Sequence, residues 1–317
     1  ENDLAAVVVG ILDLAPSAHG IGMLLGSVDL DRDGARIVLA QQILNRVDVM
    51  LPHVSQSARI VIPVSAERPV NSMRIVGFVG SRTEPHVVIQ LGGNRFRIRY
   101  FTPVEEVPLC GHATVGSFAY MLKTGLVREG ESYVAQTGAG DINVDIADGL
   151  VWLDMAEPKP LAFLNDTDSA ALAAAYGISA ADMGKLKPAI SNSGLADIML
   201  PLKSAEVLAN LEPDMDAIAK LSKKLDVTGV HAFTIEKDAL HCRNFAPLYG
   251  IDEEAATGTS TGALTYYLYK HGIIKLNETK LFIQGEAMGK PSRIYSRLSI
   301  NGESVRIRVG GSGCVRE

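Results

Sequence analysis

The chain has 317 residues, of which 47% are hydrophobic and 21% are charged, and its formal net charge is −6. That length allows two domains of ordinary size, and the composition is typical of a soluble globular protein. The sequence contains no block of basic residues, which argues against nucleic acid as a partner.

Cysteine usage and the apolar segments indicate the cellular setting. The three cysteines, Cys110, Cys242 and Cys314, are far apart and form no zinc-type spacing, so we expect neither a disulfide framework nor a bound metal. The apolar run 5–14 is interrupted by Asp13 and is too short to cross a membrane. We therefore expect a cytoplasmic protein without a signal peptide and without membrane contact.

The first part of the chain reads mainly as strands. Residues 1–42 show no pattern that indicates chemistry, and we treat them as an unassigned segment that packs with a first domain at 43–157. Gly92-Gly93-Asn94 is a hairpin signal. The predicted elements are strands at Val47–Leu51, Arg59–Val64, His86–Leu91 and Phe96–Phe101, a helix at Met73–Val79, and further strands between Tyr133 and Leu153.

The second domain is predicted at 158–317, because Pro158-Lys159-Pro160 is the best candidate linker. Its predicted helices are Ser169–Tyr176, Ala180–Leu186, Glu206–Leu211, Met215–Leu225 and Ala263–Tyr269. Its predicted strands are Asp197–Leu202, His231–Ile235, Lys280–Gln284, Ser292–Ile300 and Ser304–Val309. The last strand is also a candidate to return to the first domain.

The most informative feature of the sequence is a stretch that occurs twice. In the first copy, the strand-like run Arg97–Pro103 leads to Gly111-His112-Ala113-Thr114 and an apolar segment rich in helix formers. In the second copy, Arg243–Pro247 leads to a helix that opens at Thr257–Gly262. Five residues recur at one offset, 258 − 111 = 147: Gly111, Thr114, Tyr120, Lys123 and Gly125 are echoed by Gly258, Thr261, Tyr267, Lys270 and Gly272. We interpret this as an internal duplication that places two glycine-containing helix starts across a cleft.

Candidate chemical groups lie beside these two glycines. His112 titrates near neutral pH and suits proton transfer, although a capping or packing role is equally open. Glu253 and Glu254 precede the second glycine, where acidic side chains also serve as ordinary complements of the helix dipole. Because the first N–H groups of a helix lack intrahelical partners, both helix starts are candidate seats for a carboxylate.

Two further groups are ambiguous on the residues alone. Glu84 stands at a strand entrance, where it either projects into a cleft or is a solvated turn residue. Cys110 is either a small buried hydrophobe or a nucleophile, and its counterpart at the 147-residue offset is Thr257, whose hydroxyl is too weak an acid to serve as a partner base. The run Gly258–Gly262 resembles a phosphate loop but lacks the lysine, so nucleotide binding is not favoured.

Three motifs together resemble the PhzF-like (phenazine biosynthesis) family, which has the diaminopimelate epimerase-like fold. They are Phe96–Thr114, Arg243–Ser260 and Gln284–Ser292, and the resemblance runs from about Met73 to the C-terminus. It implies an α+β fold of two pseudo-symmetric domains, each a mostly antiparallel, barrel-like sheet around a central helix, with the active site between them. It also implies that no cofactor is used and that the protein forms a homodimer.

The resemblance implies roles residue by residue. The family's acid/base glutamate, which stands in a Ser-Glu-Thr motif, falls on Glu84 between two changed neighbours, and the family's later aspartate and serine fall on Glu254 and Thr259. The implied catalytic residues are Glu84, His112 and Glu254, and the implied substrate-binding amides are those of Gly111, Gly258 and Thr259. Epimerases of this fold use one cysteine from each domain, and because Thr257 stands at the second position, a two-thiol racemase is disfavoured.

The leading hypothesis is a cofactor-independent isomerase that shifts a proton, and with it a double bond, in a small cyclic or amino carboxylic acid. One alternative is an amino-acid racemase or epimerase that uses Cys110 with a second base that is not a thiol. The other alternative is a protein that binds a small molecule without catalysis.

Overall fold

Residues 74–79, 85–101 and 106–313 are described by a computed structural model of the chain. They divide into two compact units: one holds the described residues up to Leu109 together with Ala135–Gly140, and the other holds Cys110–Val134 and residues 141–313. The segment 1–42 and the strands predicted at Val47–Leu51 and Arg59–Val64 lie outside the described residues. The domain boundary after residue 157 stays a prediction.

The first unit contains an antiparallel meander. Its strands are β1 (Arg74–Val79), β2 (Pro85–Gly92), β3 (Arg95–Phe101) and the short β4 (Glu106–Val107), each paired with the one before. The helix predicted at Met73–Val79 is therefore wrong. A short apolar run does not distinguish helix from strand by periodicity, and this one is rich in residues that favour strands. The predicted hairpin is confirmed, since Gly93 and Asn94 form the turn between the paired residues Gly92 and Arg95, and Gly92 and Gly93 have φ of +110° and +52°.

The other strands are β5 (Ser132–Thr137), β6 (Gly140–Ala147), β7 (Leu150–Asp154), β8 (Ala162–Phe163), β9 (Ala189–Asn192), β10 (Ala196–Pro201), β11 (Gly229–Ile235), β12 (Leu240–Ala246), β13 (Ile251–Glu254), β14 (Thr279–Gln284), β15 (Ser292–Asn301) and β16 (Ser304–Gly311). In the second unit the hydrogen-bonded order is β6, β7, β16, β15, β14, β12, β11, β10, β9 and β8, with β13 beside β12. The pairs β12–β14 and β10–β11 are parallel. The last strand, β16, thus lies between β15 and β7.

The described helices all lie in the second unit. They are α1 (Gly111–Lys123), α2 (Asp166–Ala175), α3 (Ala205–Ala209), α4 (Met215–Leu225) and α5 (Gly258–Lys270), with a 3-10 turn at Pro247–Tyr249. The helix predicted at Ala180–Leu186 is wrong, because that segment forms turns and Met183 makes an isolated bridge to Leu202. Gly184 explains the difference: its amide donates to the Pro201 carbonyl at 2.9 Å, so the end of β10 takes the bond a helix would need.

Strands β10, β11 and β12 have helices on both faces, which explains why nearly all of their residues are buried and why the sequences of β10 and β11 are mostly apolar instead of alternating. On β10, Ile198 and Leu200 pack into a core formed with α2 and α4, whereas Met199 packs into a second core formed with α5. Each buried side chain of this kind contributes about 1.5–3 kcal/mol relative to exposure. Helix α5 is therefore held firmly, and odd-numbered residues of β10 face it. The mixed α+β class expected from the sequence is confirmed.

Among the described residues, none of the helices is long and apolar enough to cross a membrane.

Candidate active site

The two copies of the duplicated stretch form helices of the same length and geometry. Helices α1 and α5 each have 13 residues and follow an extended N-cap residue, Cys110 (φ −139°, ψ 106°) and Thr257 (φ −123°, ψ 96°). Thr114 Oγ1 donates to the Cys110 carbonyl at 2.8 Å, and Thr261 Oγ1 donates to the Thr257 carbonyl at 2.9 Å. The repeat seen in the sequence is thus also present in the backbone and its hydrogen bonds.

The starts of these two helices differ from those of the other described helices. In α2, α3 and α4 the N-cap side chains of Asn165, Ser204 and Asp214 accept a hydrogen bond from a first-turn amide. In α1 and α5 the N-cap side chain makes no such bond, and neither first turn contains an acidic residue. A negative charge beside such amides gains about 0.3–1 kcal/mol from the helix dipole alone. Of the described helices, α1 and α5 are therefore the best suited to hold an anionic group.

His112 and Glu254 meet at these helix starts. Nδ1 of His112, in the first turn of α1, lies 3.9 Å from Oε1 of Glu254, the last residue of β13. This separation is too long for a direct hydrogen bond, and both side chains are partly exposed. One group donates and the other accepts, so together they can orient a polar substrate group. The structure thus brings these two predicted site residues together.

Glu253 has a different function from its neighbour. Its carboxylate accepts two hydrogen bonds from Arg243, at 2.9 Å from Nε and 2.8 Å from Nη2. Arg243 is largely buried and also donates to the carbonyl of Leu208 in α3 and to that of Leu211, just after this helix. Such a two-point pair is geometrically specific and holds β13 against β12. Of the two acidic residues before the second glycine, Glu253 is structural and Glu254 faces His112.

Cys110 is half-buried, and its sulfur lies 3.5 Å from Nε2 and 3.7 Å from Nδ1 of His112. Cys242 lies in the core, where burial raises the pKa of its thiol well above the usual range. Cys314 lies outside the described residues. Of the two described thiols, only Cys110 lies near the candidate site.

The glycines at the two helix starts are not required by the packing of the described residues. A Cβ on Gly111 would meet nothing within 4 Å, and one on Gly258 would make only an ordinary contact at 3.6 Å. By contrast, a Cβ on Gly262, in the next turn of α5, would lie 2.8 Å from Ser193 Oγ and 2.9 Å from Met155 Cγ. The packing of the described residues thus leaves space for another group beside the backbone at Gly111 and Gly258.

The polar residues that bind the start of α5 from the neighbouring strands were not predicted from the sequence. Ser193 Oγ donates to the Thr259 carbonyl at 3.1 Å, and Ser260 Oγ donates to Asp197 at 2.5 Å. Burial raises the pKa of Asp197 to about 6, against the hydrogen bonds from Ser260 and the Gly229 amide, which lower it. The signal in the sequence was a single acidic residue within the otherwise apolar strand β10. These bonds fix the position of the backbone around Thr259.

Glu84 lies outside the described residues, so its proposed role stays a prediction. Across the part of the chain that the structure describes, no three His, Cys, Asp or Glu side chains are grouped so that they could hold a metal ion.

The chain is similar to several known proteins. The family model described as phenazine biosynthesis-like protein matches residues 83–317. An uncharacterized isomerase of Deinococcus radiodurans is 33% identical over 276 residues, which cover 84% of this chain and 89% of that protein. The trans-2,3-dihydro-3-hydroxyanthranilate isomerase of Pseudomonas aeruginosa is 30% identical over 222 residues, which cover 68% of this chain and 76% of that protein.

Solved structures agree on the fold. The crystal structure of a Bacillus anthracis phenazine biosynthesis protein of the PhzF family matches with a TM-score of 0.62 at 23% identity, over 68% of this chain and 77% of that one. A predicted epimerase from Pseudomonas aeruginosa matches with a TM-score of 0.60 at 24% identity, over 73% of this chain and 81% of that one. At these identities the likeness shows the fold alone.

Proposed function

Since the chain belongs to the phenazine biosynthesis-like (PhzF) family, we propose that it is a cofactor-independent isomerase that moves a proton, and with it a double bond, in a small carboxylic acid. Two relatives that are 33% and 30% identical to the chain are named isomerases. The observation that carries the proposal is the meeting of His112 and Glu254 at 3.9 Å beside a pair of equivalent helix starts without side-chain caps.

The substrate carboxylate binds at the helix starts. The backbone amides of Gly111, Gly258 and Thr259 donate to its oxygens, and the positive ends of the two helix dipoles favour its negative charge. Because glycine leaves the backbone uncovered at Gly111 and Gly258, the carboxylate reaches these amides without a clash. The same amides stabilise the extra negative charge that spreads toward the carboxylate when a neighbouring carbon loses its proton.

Glu84 moves the proton. Its carboxylate removes a proton from a carbon next to the double-bond system, the double bond shifts, and the same carboxyl group returns the proton to another carbon. One C–H bond breaks and one forms, so no electrons are gained or lost and no co-reactant is needed. His112 and Glu254 hold the polar groups of the substrate during this step. A positioned general acid/base of this kind contributes about 10²–10⁴-fold to the rate.

The proposal is tested with trans-2,3-dihydro-3-hydroxyanthranilate, the compound in the name of the Pseudomonas aeruginosa relative, and with a panel of L-amino acids. Each is incubated with the protein in deuterium oxide, and deuterium at carbon is followed by mass spectrometry and NMR. We expect exchange and isomerisation of the cyclic acid. Glu84→Gln should lower the rate by about 10²–10⁴-fold while the melting temperature is unchanged.

Glu278→Gln is the matched control, because Glu278 also directly precedes a strand, β14. It should keep the parent rate. Full activity in Glu84→Gln would contradict the role of Glu84, and a ligand that binds without ever exchanging would identify the protein as a binder.

A racemase that uses Cys110 is favoured by one observation, the 3.5 Å approach of its sulfur to His112. Such an enzyme would exchange the α-proton of an amino acid and lose this activity when Cys110 is alkylated. Exchange that survives complete alkylation of Cys110 would exclude it.

A further inference from the structure

Thr257 occupies the position that corresponds to Cys110 in the duplicated stretch, since 257 − 110 = 147. Both residues are extended N-caps, and neither caps its own helix through its side chain. The Thr257 side chain is instead turned to Glu254, whose Oε2 lies 2.5 Å from Thr257 Oγ1. The residue at the second helix start is thus bonded to a predicted site carboxylate.

The direction of this hydrogen bond follows from the buried side chain of Gln284. The Thr257 amide donates to Gln284 Oε1 at 3.2 Å, which fixes which end of the Gln284 amide group is oxygen. Gln284 Nε2 then donates to Thr257 Oγ1 at 3.0 Å and to the Glu254 carbonyl at 2.6 Å. A hydroxyl has one hydrogen, and because Thr257 accepts from Gln284, that hydrogen is directed to Glu254.

The same chain of bonds determines where Glu254 points. With Oε2 held as an acceptor by Thr257, Oε1 is the oxygen that faces His112, at 3.9 Å. Gln284 is fully buried on β14, so the chain is anchored in the sheet. Hydrogen bonds to charged groups are worth about twice as much as neutral ones, so the Thr257 bond is well placed to hold the carboxylate in one orientation.

We propose that Thr257 is a positioning residue that, supported by Gln284, orients the Glu254 carboxylate toward His112. Thr257, which corresponds to Cys110 at the first helix start, thus orients a carboxylate and does not transfer a proton. This inference rests on the proposed function, in which Glu254 holds the substrate. It extends that function by adding two residues to the site that the sequence analysis did not assign.

The test compares Thr257→Val, which removes the hydroxyl at nearly constant volume, with Thr257→Ser, which keeps it. In the full chain, with trans-2,3-dihydro-3-hydroxyanthranilate as the probe, we expect Thr257→Val to lower kcat/KM for proton exchange by about 10–100-fold, the scale for a lost bond to a charged group. Thr257→Ser should restore the rate to within about threefold of the parent, because the same bond is made.

Thr265→Val is the control, since Thr265 is a buried threonine of the same helix that bonds to the Thr261 carbonyl and to Ser296, away from Glu254. It should leave kcat/KM unchanged. If Thr257→Val does not fold, Thr257→Ala takes its place with the same expected loss.

Crystal structures of the two Thr257 variants give a readout that does not depend on turnover. We expect the Glu254 carboxylate to leave its position in Thr257→Val and to keep it in Thr257→Ser. A carboxylate that stays in place in Thr257→Val, or equal losses of activity in the serine and valine variants, would overturn the inference. A parent protein that exchanges no probe would instead overturn the proposed function, and the crystallographic comparison would still decide the role of Thr257.

Discussion

Replacement of Asp197 by asparagine should change how the stability of the protein depends on pH. Asp197 is a buried residue of β10 that faces the start of α5, and its pKa is raised from 3.8 to about 6, mainly by burial. The native state therefore holds the proton of Asp197 more tightly than the unfolded chain does. This contribution to stability is fully present below about pH 3.8 and is lost as the pH rises through about 6. Asparagine does not titrate, so the variant loses nothing over this range.

The size of the effect follows from the two pKa values. The difference between 3.8 and about 6 corresponds to about 3 kcal/mol in the free energy of unfolding, because one pKa unit is worth about 1.4 kcal/mol. Roughly two thirds of it, about 2 kcal/mol, falls between pH 4.5 and 7.5. Over that range the free energy of unfolding of Asp197→Asn should rise by about 2 kcal/mol relative to the parent.

Urea unfolding measures this difference, with fluorescence of Trp152 as the probe. Trp152 is the single tryptophan of the chain and is buried on β7 in the second unit, which also contains Asp197. Asp182→Asn is the control, because Lys203 and Ser179 lower the pKa of Asp182, so the stability that this carboxylate contributes is already present above its ordinary pKa of 3.8 and should not change between pH 4.5 and 7.5. A parent-to-variant difference for Asp197 that stays constant from pH 4.5 to 7.5 would refute the burial argument.

Two further comparisons use paired variants. Gly262→Ala should lower the free energy of unfolding by about 1–3 kcal/mol through overpacking, whereas Gly111→Ala should change it by less than about 0.5 kcal/mol. Thermal unfolding measures both changes. Gly111→Ala should also weaken carboxylate binding, which calorimetric titration measures. Arg243→Ala should cost about 3–5 kcal/mol because it leaves the largely buried Glu253 unpaired, whereas the more exposed Arg306→Ala should cost less than about 1 kcal/mol. Equal changes in the free energy of unfolding would contradict the packing argument in the glycine pair and the burial argument in the arginine pair.

The parts of the fold that the sequence predicted are those in which local signals agree with the tertiary structure. Met215–Leu225 is helical over the predicted residues because it has a capping aspartate, Asp214, and a clear apolar face. The segment 180–186 has helix formers as well, but Gly184 bonds to the end of β10, and no local pattern contains that contact. The strand β1 was missed because its six residues are too few for a period to be read.

The candidate site shows the same limit. His112 and Glu254 were predicted from the repeated stretch and the family resemblance, and the structure brings them together. Gln284 and Asp197 lie on strands far away in sequence, and their importance comes only from what they contact, Thr257 and Ser260. A sequence shows that a polar residue interrupts an apolar strand, but the partner that satisfies it is defined by the fold.

The place of β16 in the sheet has a consequence for how the chain acquires its structure during synthesis. β16 pairs with β7, with Arg308 opposite Asp154, so the contact joins residues 308 − 154 = 154 positions apart. Until residues 304–311 have left the ribosome, β7 and β15 each lack the neighbour that covers one of their edges. Pairings between such distant residues form slowly, and uncovered strand edges promote aggregation. The second unit is therefore most prone to aggregate during synthesis before β16 has paired with β7 and β15, and this is the stage at which chaperones are most useful.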